Sequence, residues 1–338
     1  MHRLHRVLSL LFVGATACGA PASPDESAHA PLDAAGLAVG EPCAAHAECL
    51  SDACGAAGTC VARRSLVGFA GAYTCGPGED GAEHESCGLT LPVDTPAGVV
   101  ELDKYVITAG RMRAFVERTG GDLRGFVDGL GEDARWDPAW SEQLPRTMDE
   151  LYWVLGPFGP RSGCWFDGEG ARTYWMPDEV NATFPDRPQA YGPEVLDTKA
   201  MQCVPFAVLQ AFCIWDGGRL ATLEEIDAAW GPAYYPWGDD AWTPEHAVHN
   251  FSYGYPEDRL DNTAYIAAPG RRPLGNGPYG HADLGGLVFQ LTSTFDADGA
   301  VAWSRAGSWE VHGPGGGHFA SLDAAYWAAG GRCTHLGL

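Results

Sequence analysis

Eleven cysteines in 338 residues constrain this chain more than any other feature. Four of them, Cys43, Cys49, Cys54 and Cys60, fall within twenty residues, with Gly55 and Gly58 between the last two. So short a segment cannot bury enough apolar surface to fold by itself, so it must be cross-linked. Residues 41–62 therefore read as a small two-disulfide knot, similar to cysteine-rich modules near the N-termini of bacterial surface lipoproteins. Four cysteines allow three pairings, and spacing does not choose among them. The plain role for such a knot is a rigid spacer. Zinc is the competing use of clustered cysteines, but the chain contains no CxxC pair.

The N-terminus says where disulfides could form. Arg3 and Arg6 precede a short apolar run, Val7 to Val13, and then the small residues Gly14-Ala15-Thr16-Ala17. That order is a secretory leader over residues 1–17, and the run is much shorter than the roughly 20 residues a membrane span needs. Cys18 follows directly, so Ala-Thr-Ala-Cys-Gly resembles a lipobox whose cysteine is acylated. Ala15 stands where a leucine is more usual, and ordinary cleavage after Ala17 is the alternative. The expected location is a bacterial outer membrane or cell surface, otherwise the periplasm or medium. The ten cysteines that remain are even in number, which in an exported chain reads as disulfides.

Charge narrows the partners. The formal net charge is −23, and losing Arg3 and Arg6 with the leader takes it to −25. Such a chain repels phosphate backbones, which excludes nucleic acid. With 45 Gly, 24 Pro and only 19% charged residues, the composition points to a loop-rich globular fold rather than a helical bundle.

Residues 18–40 are rich in Ala, Pro and small polar residues and read as a flexible tether. From about residue 65 the chain becomes rich in aromatics and glycine. Val100 to Ile107 alternates like a strand. Gly110 to Arg118 reads as a short amphipathic helix stopped by Gly120-Gly121. Pro205 to Trp215 reads as a second helix, with Phe206, Leu209, Phe212 and Cys213 on one face and Gly217-Gly218 at its end. Thr222 and Glu225 form a capping-box signature for a third. No fixed-period repeat is visible.

Several phrases recur in a telling order. Ala211-Phe212-Cys213-Ile214-Trp215-Asp216-Gly217-Gly218-Arg219-Leu220-Ala221-Thr222 is followed by Tyr235-Pro236-Trp237-Gly238-Asp239. Tyr279-Gly280-His281-Ala282-Asp283-Leu284-Gly285-Gly286-Leu287-Val288-Phe289-Gln290-Leu291-Thr292 comes next, then Arg305-Ala306-Gly307-Ser308-Trp309 and Gly331-Arg332-Cys333. This set resembles the sulfatase-modifying-factor family, whose founding activity is formylglycine generation, over roughly residues 65–338. The resemblance implies an α+β, loop-rich fold related to the C-type lectin fold, with Arg219 as a buried organiser of loop carbonyls. It implies a Cys213–Cys333 disulfide. That leaves Cys164 with Cys203 as a second bond and Cys75 with Cys87 as a third.

The resemblance also says which chemistry to look for. The family's oxidase holds copper(I) with two cysteines, three and eight residues after the serine of its GGSW phrase. Counted from Ser308 these positions are Val311 and Gly316, and no cysteine lies between Ser308 and Gly331. Valine and glycine offer no soft ligand to Cu(I), so formylglycine generation and copper binding are not expected. His312 and His318 lie in the same glycine-rich loop, and with His281 they are weak candidates for another metal; Ser308 is a weak catalytic candidate. The bland reading is surface histidines on a flexible loop. A family Ca²⁺ site can be laid on Asn250, the Phe251 carbonyl, Asp258 and the Leu260 carbonyl, all hard oxygen ligands, with Asp261 as a substitute for Asp258. A second family Ca²⁺ site falls on Leu287 and Gln290 and is expected to be lost.

Two functions follow as expectations. The first is a non-catalytic binding or surface module for a peptide, protein or glycan, held to a membrane by its lipid. Trp303, Trp309 and Tyr326 are candidates to line its groove, with core packing as their competing role. The second is a metal-dependent oxidative enzyme of altered chemistry on the same fold.

Overall fold

A computed structural model describes residues 36–335, apart from positions 80, 157–164, 167–168, 184–188, 190, 255–261, 300, 312–317, 323–324 and 326–327. The leader, Cys18 and most of the tether lie outside the described residues. No helix among the described residues is long and apolar enough to cross a membrane.

Leu37, upstream of the first cysteine, already pairs with the knot. Leu37 bridges to Cys49, Pro42 to Thr59 and Cys54 to Cys60. The bonds are Cys43–Cys54 and Cys49–Cys60, so the two loops interleave. Few knot residues are buried, chiefly Cys49, Ala53 and Cys60, and the cross-links stand in for a core. Asp52, in the left-handed region at φ 51°, pairs with Arg118 at 3.2 Å and Arg64 at 3.5 Å. The Arg118 guanidinium also lies 5.6 Å from the Trp215 ring centre. The knot is thereby tied to the large domain.

The large domain is built on two four-stranded sheets. The first has the order β1-β2-β10-β5, from β1 (Thr90–Thr95), β2 (Gly98–Asp103), β10 (Cys333–His335) and β5 (Arg219–Leu220). Its pairs are all antiparallel. The second has the order β8-β7-β6-β9, from β8 (His318–Ser321), β7 (Val301–Arg305), β6 (Phe289–Phe295) and β9 (Ala329–Gly330), with β6 and β9 parallel. A two-stranded ribbon joins β3 (Trp165–Phe166) to β4 (Glu169–Gly170). The strand expected over 100–107 ends at Asp103 and is the second arm of a hairpin whose first arm is β1.

Helix α1 (Ala109–Thr119) starts at Thr108, whose hydroxyl accepts from the Arg111 N–H, and stops at Gly120 with φ 61°. Gly110 is needed because a Cβ there would stand 1.7 Å from the Ala70 carbonyl. Helices α2 (Leu123–Asp128) and α3 (Met148–Leu155) and the short turns α4 (Asp178–Asn181) and α5 (Pro193–Leu196) follow. All ten residues of α6 (Phe206–Trp215) are buried, so its apolar surface is not confined to the one face expected. A helix apolar all round belongs inside a core. Helix α7 (Leu223–Trp230) has the reciprocal Thr222–Glu225 capping box.

Cys213 of α6 bonds to Cys333 of β10, and Cys75 bonds to Cys87. Cys203 is buried; its expected partner Cys164 lies outside the described residues. Arg219 differs from expectation: its side chain is 24% exposed and pairs with Glu225. The organisers are other arginines. Arg111, Arg172 and Arg332 are among the largest fully buried side chains. Arg111 donates to Asp103 at 3.2 Å, Asp216 at 2.8 Å, the Ser65 hydroxyl at 2.9 Å and the Cys87 carbonyl at 2.9 Å.

Candidate functional site

The place to look for chemistry is the turn after β7, because it holds the phrase that carries the family's reactive residues. Ala306 takes φ 78° and turns the chain inward, so that Ser308 and Trp309 are both fully buried. The Trp309 indole N–H donates to Gln202 Oε1 at 2.8 Å. Its ring lies parallel to Tyr265, with centres 6.1 Å apart, and takes the edge of Phe251 at 5.4 Å. Backbone bonds fix it further: the Trp309 N–H donates to Leu287 O at 2.9 Å, and its carbonyl accepts from the Phe251 N–H at 2.8 Å. Trp309 is therefore a core ring rather than a groove wall. Trp303 is half-buried on β7, opposite Phe319 of β8, and Tyr326 lies outside the described residues.

Of the catalytic candidates, the structure describes Ser308 and the strand position of His318, and His312 lies outside the described residues. The Ser308 hydroxyl accepts from the Glu310 N–H at 3.4 Å, and no described base lies within bonding reach of it. A nucleophilic serine needs a base within hydrogen-bond distance. Val311 packs against the main core, so the residue at the first family thiolate position serves packing. The stretch from Ser308 to Gly331 contains no cysteine, so neither family position supplies a thiolate for copper(I). Gly316 and His312 lie outside the described residues, and His318 sits on β8 opposite Ser304. His281 is fully buried with Nε2 3.3 Å from the Leu102 carbonyl. Burial, aided by Arg332, lowers its pKa to about 4 and keeps the ring neutral.

Of the calcium set, Asn250 and Phe251 are described, at φ 48° and 55°. Asn250 is exposed at a turn. Asp258, Leu260 and Asp261 lie outside the described residues. The second family site has changed character. Leu287 is a buried core residue. Gln290 Oε1 accepts from Arg332 Nε at 2.6 Å while its amide donates to the Asp283 carbonyl at 2.9 Å. Both ends of that amide are engaged within the protein, and the side chain at this position carries no carboxylate for a hard cation.

Sequence reasoning missed the buried ionic groups around this region. Asp103 accepts from Arg111 and lies 3.0 Å from His335 Nε2. Burial works to raise its pKa, but Arg111 and His335 hold it down at about 2. Asp283 accepts from the Gly270 N–H at 2.7 Å, and burial pushes its carboxyl up to about 6 against the pull of that bond and of Arg332. Arg332 is itself lowered to about 10 by burial and donates to the carbonyls of Ala282, Asp103 and Lys104. Asp103 is paired with Arg111 and His335, Arg332 donates to backbone carbonyls and Gln290, and Asp283 accepts a backbone N–H. Their arrangement fits a structural network rather than proton transfer.

The family model described as the sulfatase-modifying factor enzyme 1-like domain matches residues 79–334. Among solved structures, the chain is similar to PvdO from Pseudomonas aeruginosa at 14% identity, covering 73% of this chain and 91% of that one, with a TM-score of 0.42. It is also similar to CarF at 12% identity, covering 71% and 88%, with a TM-score of 0.34. No curated protein matches the chain.

Proposed function

Because the chain belongs to the sulfatase-modifying factor enzyme 1-like domain family and its turn after β7 offers copper no thiolate, we propose that it is a non-catalytic binding or surface module. In this reading it is exported and anchored through acylated Cys18, with the knot as a spacer between membrane and domain. One observation carries the loss of chemistry: Ser308 to Gly331 contains no cysteine, and the residue at the first thiolate position, Val311, is packed on the core. Calcium is the cofactor the reading retains, at Asn250, Asp258 and the carbonyls of Phe251 and Leu260, where it would brace a loop.

The test is metal analysis and a peptide assay on the purified chain. Calcium at unit stoichiometry, lost in Asn250→Ala, and a cysteine-containing sulfatase peptide left intact in the presence of copper(I) are the expected results. Conversion of that peptide to its aldehyde overturns the proposal. So does copper or iron at unit stoichiometry that disappears when His312 and His318 are replaced. The anchor is checked separately by labelled palmitate, which should enter the wild-type chain and not Cys18→Ser.

A further inference from the structure

A stack of rings stands at the surface beyond the end of α7. Tyr234 is 69% exposed and meets Tyr235 edge-on, with centres 4.7 Å apart. Tyr235 lies parallel to Trp237 at 4.7 Å, and Trp237 nearly parallel to His246 at 5.0 Å. The stack is held from below. Tyr235 and Gly238 exchange two backbone hydrogen bonds of 3.1 Å, closing a turn in which Gly238 takes φ 116°. The Trp237 indole N–H donates to the Asp240 carbonyl at 3.2 Å. Its ring rests on Gly285, where a Cβ would stand 2.8 Å from it. The inner rings thus cover one another, and Tyr234 is the member offered to solvent on a rigid base.

The segment that carries the stack has one sign of charge, and a cation near it, Arg272, comes from another segment and lies on the Glu245 side. Residues 220–258 contain eight acidic residues and no Lys or Arg. Asp239 and Asp240 are exposed beside the stack, and no described ion pair involves either. A fixed aromatic ring flanked by unpaired carboxylates complements a cation with an apolar stem. We propose that this ridge docks a lysine- or arginine-rich segment of a partner protein. The cationic head group lies over the Tyr234 ring, and neighbouring basic side chains pair with Asp239 and Asp240. The inner rings are already held by one another, so binding orders little on this side beyond Tyr234 itself. The inference gives the binding-module reading a partner class, yet it shares no residue with the Ser308–Val311 turn, so either can fail alone.

A labelled oligo-arginine peptide titrated into the full chain tests it, at low and at physiological salt. Tyr234→Ala should weaken binding about fivefold. Asp239→Asn with Asp240→Asn should weaken it about tenfold at low salt. The control pair Glu132→Gln with Asp298→Asn, which removes the same charge elsewhere on the surface, should change it less than twofold, a limit set at about the resolution of such titrations. Melting temperatures should stay level throughout. Two results overturn the proposal: a control pair that weakens binding as much as the aspartates do, or a Tyr234→Ala chain that binds like wild type. The first would mean that the peptide senses only the overall negative charge, the second that the ring takes no part in docking.

Discussion

The knot and the large domain hold together by different means. In the knot, two disulfides with a sequence separation of 11 each do the work of a core, and large apolar side chains such as Val39 and Leu50 stay exposed. In the large domain the one long-range described disulfide, Cys213–Cys333, spans 120 residues. Most of the cohesion there comes from a continuous apolar core and from guanidinium groups buried within it. Arg111 alone connects Ser65, Cys87, Asp103 and Asp216, which come from four separate parts of the chain. Covalent links suit a segment too small to exclude water. Buried arginines suit a loop-rich domain, because each supplies five donors to carbonyls and carboxylates that no sheet or helix satisfies.

The largest expected effect breaks the network. Arg111→Met leaves Asp216 buried without its cation and Asp103 with His335 alone, and should cost about 3–5 kcal/mol in urea denaturation. A loss under 1 kcal/mol would mean the network is decorative and that the core and disulfides carry the domain. Next, Cys43→Ala with Cys54→Ala should remove about 3 kcal/mol, confined to the knot. Hydrogen exchange should show residues 36–62 opening while α6 keeps its protection. If α6 loses protection as well, the knot is part of the domain's cooperative unit and the contrast fails.

The smallest effect concerns pH. The folded pKa of Asp283, about 6, lies above its ordinary 3.8, so the folded chain holds that proton more tightly than the unfolded one. The destabilisation is complete above pH 6 and is relieved as pH falls from 6 toward 4. Asp283→Asn should therefore stabilise the chain at pH 8 by about 1–2 kcal/mol, since the new amide hydrogens offset part of the gain. It should also flatten the rise in stability between pH 6 and 4. An unchanged slope would show that the carboxylate is well compensated where it stands.

Local rules account for what could be read directly. The Thr222–Glu225 capping box, the Gly120 stop and the crowding of four cysteines are signals carried by near neighbours, and each corresponds to a described feature. The ordered phrases from Ala211 to Cys333 pointed to the family, and the absence of cysteine after Ser308 is a property of the sequence itself. Burial was another matter. Arg111 and Arg113 sit in a helix whose pattern places charges outward, yet both are buried because Asp216 and Asp197 arrive from about a hundred residues away. Arg219, read as the buried organiser, is the partly exposed one. Trp309 looked available for a groove and is enclosed by Gln202, Tyr265 and Phe251. The sequence by itself determined the cross-linked knot, the helix ends and the missing thiolates, because each depends on residue type and short spacing. Only the tertiary structure decided which charges are buried and which rings face water, because desolvation depends on partners that folding alone brings together.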